Sequence, residues 1–394
     1  MTNNLNTKIT SNFLSKNYQQ CTKTVMDNIA DPNITFDENG VCNYYYDYFK
    51  EYKRRKVGSG EEGRQLLEEK IKEIKQNSKG KPYDCILGIS GGVDSTYMAY
   101  LAKQYGLRVL LVHFDNGWDS ELAVKNIENI VVKTGYDLYS LVVDWEEFKQ
   151  LQIAYFKASV IDLEMPTDHA IIGTLYRLAA KHNVKYFLNG YNVVTEAILP
   201  RAWNYNKLDA VNMKDIYKKH GSSKKLTTYP FFDTYEKKKY VSLGGIENVL
   251  FLNYTDYNKN EVKKLIIKEF DWKDYGGKHY ESIFTRFYQG YILPTKFNID
   301  KRKAHLSTLI CSEQITKEEA LKELEKPIYN HEQFLIDKEF VLKKLDFTEV
   351  CFEEIMNLPI RSHYDFKVGK NSIYDMYPFL KIIKPIINFA FKRE

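Results

Sequence analysis

One short stretch concentrates the anion-binding chemistry of this chain: Ser90-Gly91-Gly92-Val93-Asp94-Ser95-Thr96. It follows the apolar run Ile86–Ile89 and precedes an amphipathic stretch, so it reads as a turn from a buried strand into a helix. Glycines there let the backbone turn tightly and present N–H groups to an anion. The helix N-terminus adds partial positive charge, and the hydroxyls of Ser90, Ser95 and Thr96 add donors. Phosphate is the anion such a loop fits. The Gly-Lys-Ser/Thr ending of the nucleoside-triphosphatase loop is missing, so no lysine in the loop grips a transferred γ-phosphate. Asp94 makes sense there if Mg²⁺ sits between its carboxylate and the phosphates. The plainer alternative is a Gly-Gly turn with no ligand.

The elements that must position this loop alternate in type. Cys85–Ile89, Val109–Phe114, Tyr139–Val143 and Tyr186–Leu188 read as buried strands; Ser95–Tyr105, Ser120–Thr134, Trp145–Val160 and Asp168–His182 read as helices. That order implies an α/β fold, a parallel sheet with helices on both faces and its ligand beyond the carboxyl ends of the strands. Val249–Asn253 reads as a fifth strand and Lys259–Phe270 as a helix, while residues 201–245, rich in Lys and Tyr, resist assignment. Residues 1–57 show few helical signals. Residues 61–76 put Leu66, Leu67, Ile71 and Ile74 on one helical face, and the polar break Asn77–Lys81 follows. Gly276-Gly277 marks a second break, and Thr316–Lys322 opens with a capping box in a mainly helical remainder. The expected division is 1–77, 78–275 and 276–394.

Composition narrows the class. With 394 residues, 44% apolar and 28% charged, the chain is an ordinary globular protein of more than one unit. Its 57 basic and 52 acidic side chains give a net charge of only +5, too even for a dedicated nucleic-acid binder. The five cysteines, Cys21, Cys42, Cys85, Cys311 and Cys351, are odd in number and widely spaced, which suits a reducing, cytoplasmic compartment rather than a disulfide framework. The polar start MTNNLNTKIT has no secretory h-region. Lys381, Lys384 and Pro385 interrupt the most apolar tail segment, Met376–Phe391, so no membrane span is expected.

SGGVDS resembles the PP-loop of the ATP pyrophosphatases, a superfamily that includes NAD, GMP and asparagine synthetases and tRNA-modifying enzymes. The resemblance implies an adenine nucleotide alpha hydrolase-like fold and cleavage of ATP between its α- and β-phosphates. AMP passes to a substrate oxygen and is then displaced by a nitrogen or sulfur nucleophile. Further stretches resemble one branch, the bacterial N-acetyl sugar amidotransferases of lipopolysaccharide O-antigen and flagellin-sugar biosynthesis. They are Ile34–Cys42 (ITFDENGVC), Val112–Ser120 (VHFDNGWDS), Met165–Gly173 (MPTDHAIIG), Tyr186–Glu196 (YFLNGYNVVTE), Tyr275–Ser282 (YGGKHYES) and Gly290–Ser307 (GYILPTKFNIDKRKAHLS). The implied reaction turns the acetamido group of a nucleotide-linked N-acetyl sugar into an acetamidino group with ammonia, and the implied cofactors are ATP and Mg²⁺.

By that resemblance Ser90, Gly91, Gly92, Ser95 and Thr96 hold pyrophosphate, Asp94 and Glu196 hold Mg²⁺, and His113, Phe114 and Asp115 meet adenosine. Asp94, Ser95, Lys278 and His279 are the catalytic candidates. Trp118, Asp168, His169, Arg286, Lys301 and Arg302 are the candidates for the sugar and its phosphates. Each has a plain alternative: a surface glutamate for Glu196, a backbone-bonded helix-start residue for His169, a solvated face for the basic series. Relatives carry two Cys-x-x-Cys pairs that look like a zinc site; here Thr24 and Tyr45 stand where the second cysteines would, leaving Cys21 and Cys42, so no zinc is expected. Residue 2 is Thr and Cys311 lacks a glutaminase setting, so ammonia comes from solution or a separate glutaminase, and the resemblance implies a partner pair similar to the histidine-biosynthesis glutaminase and its cyclase subunit. The competing readings are tRNA sulfur transfer and a non-catalytic nucleotide-binding protein.

Overall fold

The computed structural model describes residues 18–277 and 280–369. Five parallel strands form its single named sheet: β1 (Cys85–Gly88), β2 (Val109–Asp115), β3 (Asp137–Val142), β4 (Tyr186–Asn189) and β5 (Glu247–Leu250). Their order is β3-β2-β1-β4-β5, with Ile86 beside both Leu110 and Phe187. β1 is buried on both faces, as the apolar run CIL requires of a central parallel strand.

Two helices precede the sheet, α1 (Asn43–Arg55) and α2 (Gly60–Asn77). The crossovers are α3 (Val93–Gln104), α4 (Glu121–Thr134), α5 (Trp145–Ala158) and α6 (Met165–Lys181). After β4 come α7 (Val193–Glu196), α8 (Ala210–His220) and α9 (Thr234–Ser242), and after β5 comes α10 (Lys259–Phe270). The C-terminal region is helical: α11 (Ile283–Phe287), α12 (Leu293–Phe297), α13 (Arg302–Cys311), α14 (Lys317–Glu325), α15 (His331–Lys344) and α16 (Glu349–Asn357). A π-helical turn, Tyr288–Ile292, joins α11 to α12 just before Pro294, whose missing N–H breaks the regular ladder.

Caps set several of these starts. Ser120 accepts from the Ala123 amide at the head of α4, Asp144 does so from Glu147 at the head of α5, and Thr316 and Glu319 make the expected capping box on α14.

Three sequence expectations change. The segment before residue 57 contains α1, whose tyrosine-rich sequence carries weak helix propensity but packs the buried Tyr48 into the core. The fifth strand begins and ends earlier than Val249–Asn253, because Phe251–Tyr254 closes into a 3₁₀ turn. Residues 201–245 contain α8 and α9. The tail segment Met376–Phe391 lies outside the described residues.

The core is layered. Leu67, Ile71 and Ile74 of α2 pack with Leu87, Met98, Val109 and Ile266 on one face of the sheet. Tyr176 and Phe187 pack on the other. A third cluster joins Cys42 and Tyr48 to Trp118, Phe156, Phe284, Phe287 and Phe352, so the N-terminal segment, the carboxyl edge of the sheet and the C-terminal helices share buried surface. Among the described residues no helix is long and apolar enough to cross a membrane.

Candidate active site

Strand order reverses between β1 and β4, and the loops leaving their carboxyl ends diverge there, opening a crevice. A cavity of about 210 Å³ fills it. Ser90, Gly92, Asp94 and Ser95 reach it from the loop after β1, and Asn189, Tyr191 and Glu196 from the segment after β4. Lys259 and Lys263, one turn apart on α10, form another wall; Asp274, Tyr275 and Glu281 complete it. A wider groove of about 580 Å³ runs along α16 past Glu349, Val350 and Leu358, open to solvent and without the loop's groups.

The loop's shape depends on Gly91. Its φ is +75°, and a Cβ there would stand 2.6 Å from the Ala123 carbonyl oxygen, so a side chain has no room. The Gly91 carbonyl accepts from Trp272 Nε1 at 2.8 Å and from Asn126 Nδ2 at 3.3 Å, which anchors the turn to α4 and to the chain after α10. Ser90 Oγ accepts from the Gly92 amide at 3.3 Å, leaving its proton for another acceptor. Ser95 Oγ donates to the Gly92 carbonyl at 3.2 Å and stays at the cavity wall. Thr96, expected to hold phosphate, stands back from the cavity: it is fully buried, and its one hydroxyl proton goes to the Gly92 carbonyl at 2.7 Å.

Asp94 heads α3 and turns into the cavity, where the Tyr257 hydroxyl donates to its Oδ1. Burial raises the Tyr257 phenol's pKa, and the Asp94 carboxylate raises it further, so it remains a donor. Burial, then Glu281 and Asp94, act on Tyr275 in the same direction. Lys263 pairs with Asp274 at 2.7 Å. Four carboxylates thus face two ammonium groups, a balance that repels a bare polyphosphate. The donor set fits Mg²⁺, which takes one or two carboxylates together with substrate phosphate oxygens; Asp94 and Glu196 would hold it. No cluster of three His, Cys, Asp or Glu suited to a metal occurs among the described residues, and this mode does not need one. Bound there, the ion would neutralise phosphate charge.

At the end of β2, His113 is buried between two acceptors, the Ile89 carbonyl 3.1 Å from Nδ1 and Asp119 Oδ2 3.1 Å from Nε2. Burial opposes the charged ring, yet the bond to Asp119 and its charge outweigh it, and the pKa rises. Asp115 Oδ1 caps the following turn by accepting from the Gly117 amide at 2.8 Å. His113, Phe114 and Asp115 therefore flank the loop without lining the cavity. The C-terminal region joins at the next residues: the Ser120 amide donates to the Glu281 carbonyl and the Ile283 amide to the Trp118 carbonyl, each at 2.8 Å. That short pairing brings Glu281 to the cavity.

Two family models match separate stretches of the chain. Residues 84–173 match the family model for queuosine biosynthesis protein QueC, and residues 281–381 match that for the LPS biosynthesis protein WbpG-like, C-terminal domain. The chain joins a QueC-like, PP-loop segment to a WbpG-like C-terminal domain. PP-loop proteins are ATP-utilising enzymes. The chain is 24% identical over 336 residues to the tRNA-specific 2-thiouridylase MnmA of Clostridioides difficile, covering 73% of this chain and 86% of the relative. It is 35% identical over 71 residues to the tRNA(Ile)-lysidine synthase of Chlamydia pneumoniae, covering 17% of this chain and 22% of that protein. Among solved structures it is similar to the NH3-dependent NAD synthetase of Campylobacter jejuni, with 16% identity, a TM-score of 0.29, and coverage of 53% of this chain and 85% of that one.

Several residues singled out in the sequence stand elsewhere. Trp118 is fully buried, its indole N–H donating to Gln152 Oε1 at 2.8 Å and its ring packed on Phe284. His169 is fully buried too: Nδ1 lies 2.7 Å from the Lys207 carbonyl, and Nε2 accepts from the Phe232 amide at 2.8 Å. Burial lowers its pKa to about 4, which suits a neutral backbone clamp. Arg286 forms a paired contact with Asp337 at 2.5 and 2.8 Å. Arg302 binds Asp300, and its other donors close the end of α14 through the Glu323 and Lys326 carbonyls. Asp168 pairs with Lys207 at 2.9 Å, and Lys301 precedes the first turn of α13 with no side-chain capping bond. Lys278 and His279 lie outside the described residues.

Tyr257, Lys259, Lys263, Tyr275 and Glu281 were not foreseen as site residues. Tyr275 and Glu281 fall inside YGGKHYES, and the two lysines stand at a four-residue helical spacing, so both pairs left a signal. Tyr257 left none.

Proposed function

We propose that this protein adenylates the acetamido oxygen of a nucleotide-linked N-acetyl sugar with ATP and then lets ammonia displace AMP, giving an acetamidino sugar and pyrophosphate. The observation that carries the proposal is the meeting, in one cavity, of the Ser90–Ser95 loop, the Asp94 and Glu196 carboxylates, and Glu281 from the start of the WbpG-like domain. An amide oxygen is a poor leaving group, and making it an adenylate splits one hard displacement into two easier ones. In this reading the loop amides and the Ser90 hydroxyl hold the departing pyrophosphate. Lys259 and Lys263 supply the cations that the loop lacks. Tyr257 and Tyr275 keep Asp94 and Glu281 in place. The sugar lies toward the C-terminal domain, in lipopolysaccharide O-antigen or flagellin-sugar biosynthesis in the cytoplasm. Ammonia comes from solution or from a separate glutaminase pair.

Mass spectrometry of products from ATP, ammonium and a panel of nucleotide-linked acetamido sugars tests this. Conversion lowers the sugar's mass by about one unit and leaves AMP and pyrophosphate. ADP as the nucleotide product, or no sugar whose presence stimulates ATP cleavage, would overturn the reading.

The resemblance to MnmA favours a second reading, sulfur transfer to tRNA. That chemistry calls for a reactive cysteine at the site, and among the described residues none lines the cavity: Cys85 is buried in β1, and burial pushes its thiol pKa up. Binding of labelled tRNA separates the two readings.

A further inference from the structure

The N-terminal segment holds two thiols that the proposed chemistry does not use. Two turns, one around Cys21–Met26 and one around Phe36–Cys42, lie side by side, with the Thr22 amide donating to the Gly40 carbonyl at 2.9 Å. They bring Cys21 and Cys42 together in a closed setting: both are fully buried, and both are free thiols. The Cys42 amide donates to Cys21 Sγ at 3.2 Å, and Thr24 Oγ1 stands 3.7 Å from Cys42 Sγ. The donors that reach Cys21 are the kind that favour a thiolate. The Cys42 thiol hydrogen-bonds to its sulfur, and this with the backbone amides lowers its pKa against the opposing effect of burial. Cys42 shifts the other way, held protonated by that same bond and by burial. One sulfur is prepared as nucleophile and its neighbour keeps the proton. Two sulfurs are too few for a closed structural zinc site.

We propose that Cys21 and Cys42 form a peroxide-reactive dithiol that closes to a reversible disulfide. The Cys21 thiolate attacks one oxygen of hydrogen peroxide, breaking the O–O bond, giving a sulfenic acid and releasing hydroxide. The Cys42 sulfur then attacks the Cys21 sulfur, displacing the hydroxyl, which leaves as water with the Cys42 proton. Overall two thiols lose two electrons and two protons, and one peroxide becomes two waters. Burial selects the oxidant: a water-sized, uncharged molecule enters where a bulky charged disulfide does not. The closed loop would pin the segment whose Val25 amide donates to Ser307 Oγ of α13 at 3.2 Å, and Lys317, which donates to the Cys21 carbonyl at 2.7 Å, would remain in place.

The test treats the full chain with graded hydrogen peroxide, blocks remaining thiols under denaturing conditions and maps peptides by mass. Cys351, the half-buried cysteine, serves as the internal comparison. The proposal expects a Cys21–Cys42 cross-linked peptide, lighter by about 2 mass units and restored by a reducing agent, at peroxide levels that leave Cys351 a thiol. In Cys42→Ser the expected product is a trapped sulfenic acid at Cys21. Modification of Cys351 first, with Cys21 and Cys42 still free until the protein unfolds, would overturn it. The readout does not depend on the sugar reaction, so its failure leaves that reading untouched.

Discussion

His113 and Asp119 face one another at 3.1 Å, Nε2 to Oδ2, with the other ring nitrogen against the Ile89 carbonyl. Two acceptors on one imidazole favour the doubly protonated ring, and the pair ties β2 to the residue before the phosphate loop and to the segment that receives Glu281. Asp115 on the same strand and Lys344 of α15 also act on this spot, Lys344 through Asp115 and Asp119. A raised folded-state pKa gives a stability contribution that is complete below the ordinary histidine value and disappears as pH rises through the raised one. Thermal melts from about pH 6 to about pH 9 should show that loss in the native protein and a flatter profile in His113→Gln. An unchanged slope in the variant would remove the charged pair from the account.

Asp94→Asn should leave the fold intact and lower pyrophosphate release by about 100-fold or more, because the loop then faces the phosphates without its carboxylate. Circular dichroism with a coupled pyrophosphate assay measures both. Near-native release contradicts the assignment.

Tyr257→Phe removes the hydroxyl that donates to Asp94 Oδ1. Asp94 keeps its charge and loses its orientation, so the magnesium concentration for half-maximal rate should rise by about tenfold, with a smaller fall in the saturated rate. A magnesium titration of ATP cleavage decides it.

Arg286→Ala tests whether the Arg286–Asp337 pair is structural. With Asp337 2% exposed and held by two of the three guanidinium nitrogens, the variant should lose about 3 kcal/mol of stability by leaving a buried carboxylate with the Tyr329 and Gln333 donors but no cation. Urea unfolding measures the loss. A stable variant with only a raised substrate KM would restore Arg286 to the sugar site.

The sheet was legible because each strand is a short apolar run ending in a polar turn, and periodicity is a local signal. The loop was legible for the same reason: Gly91 and Asp94 are neighbours in sequence as well as in space. Glu196 and Asp94 meet only because β4 lies beside β1, and the resemblance, rather than the periodicity, pointed to that pairing. Trp118 and His169 show the opposite limit. Their types and positions near a strand end or helix start suit a binding site, but burial is set by residues far along the chain, Phe284 for one and Phe232 for the other. Tyr257 contributes a single hydroxyl from a loop without pattern, and only the tertiary fold reveals its partner.

In the proposed reaction the acetamide oxygen becomes bonded to the α-phosphorus of ATP. Labelling that oxygen with the heavy isotope of mass 18 and weighing the nucleotide product tests it directly. The expected product is AMP heavier by about 2 mass units, with unlabelled pyrophosphate. Unlabelled AMP, or label in inorganic phosphate beside ADP, would contradict it.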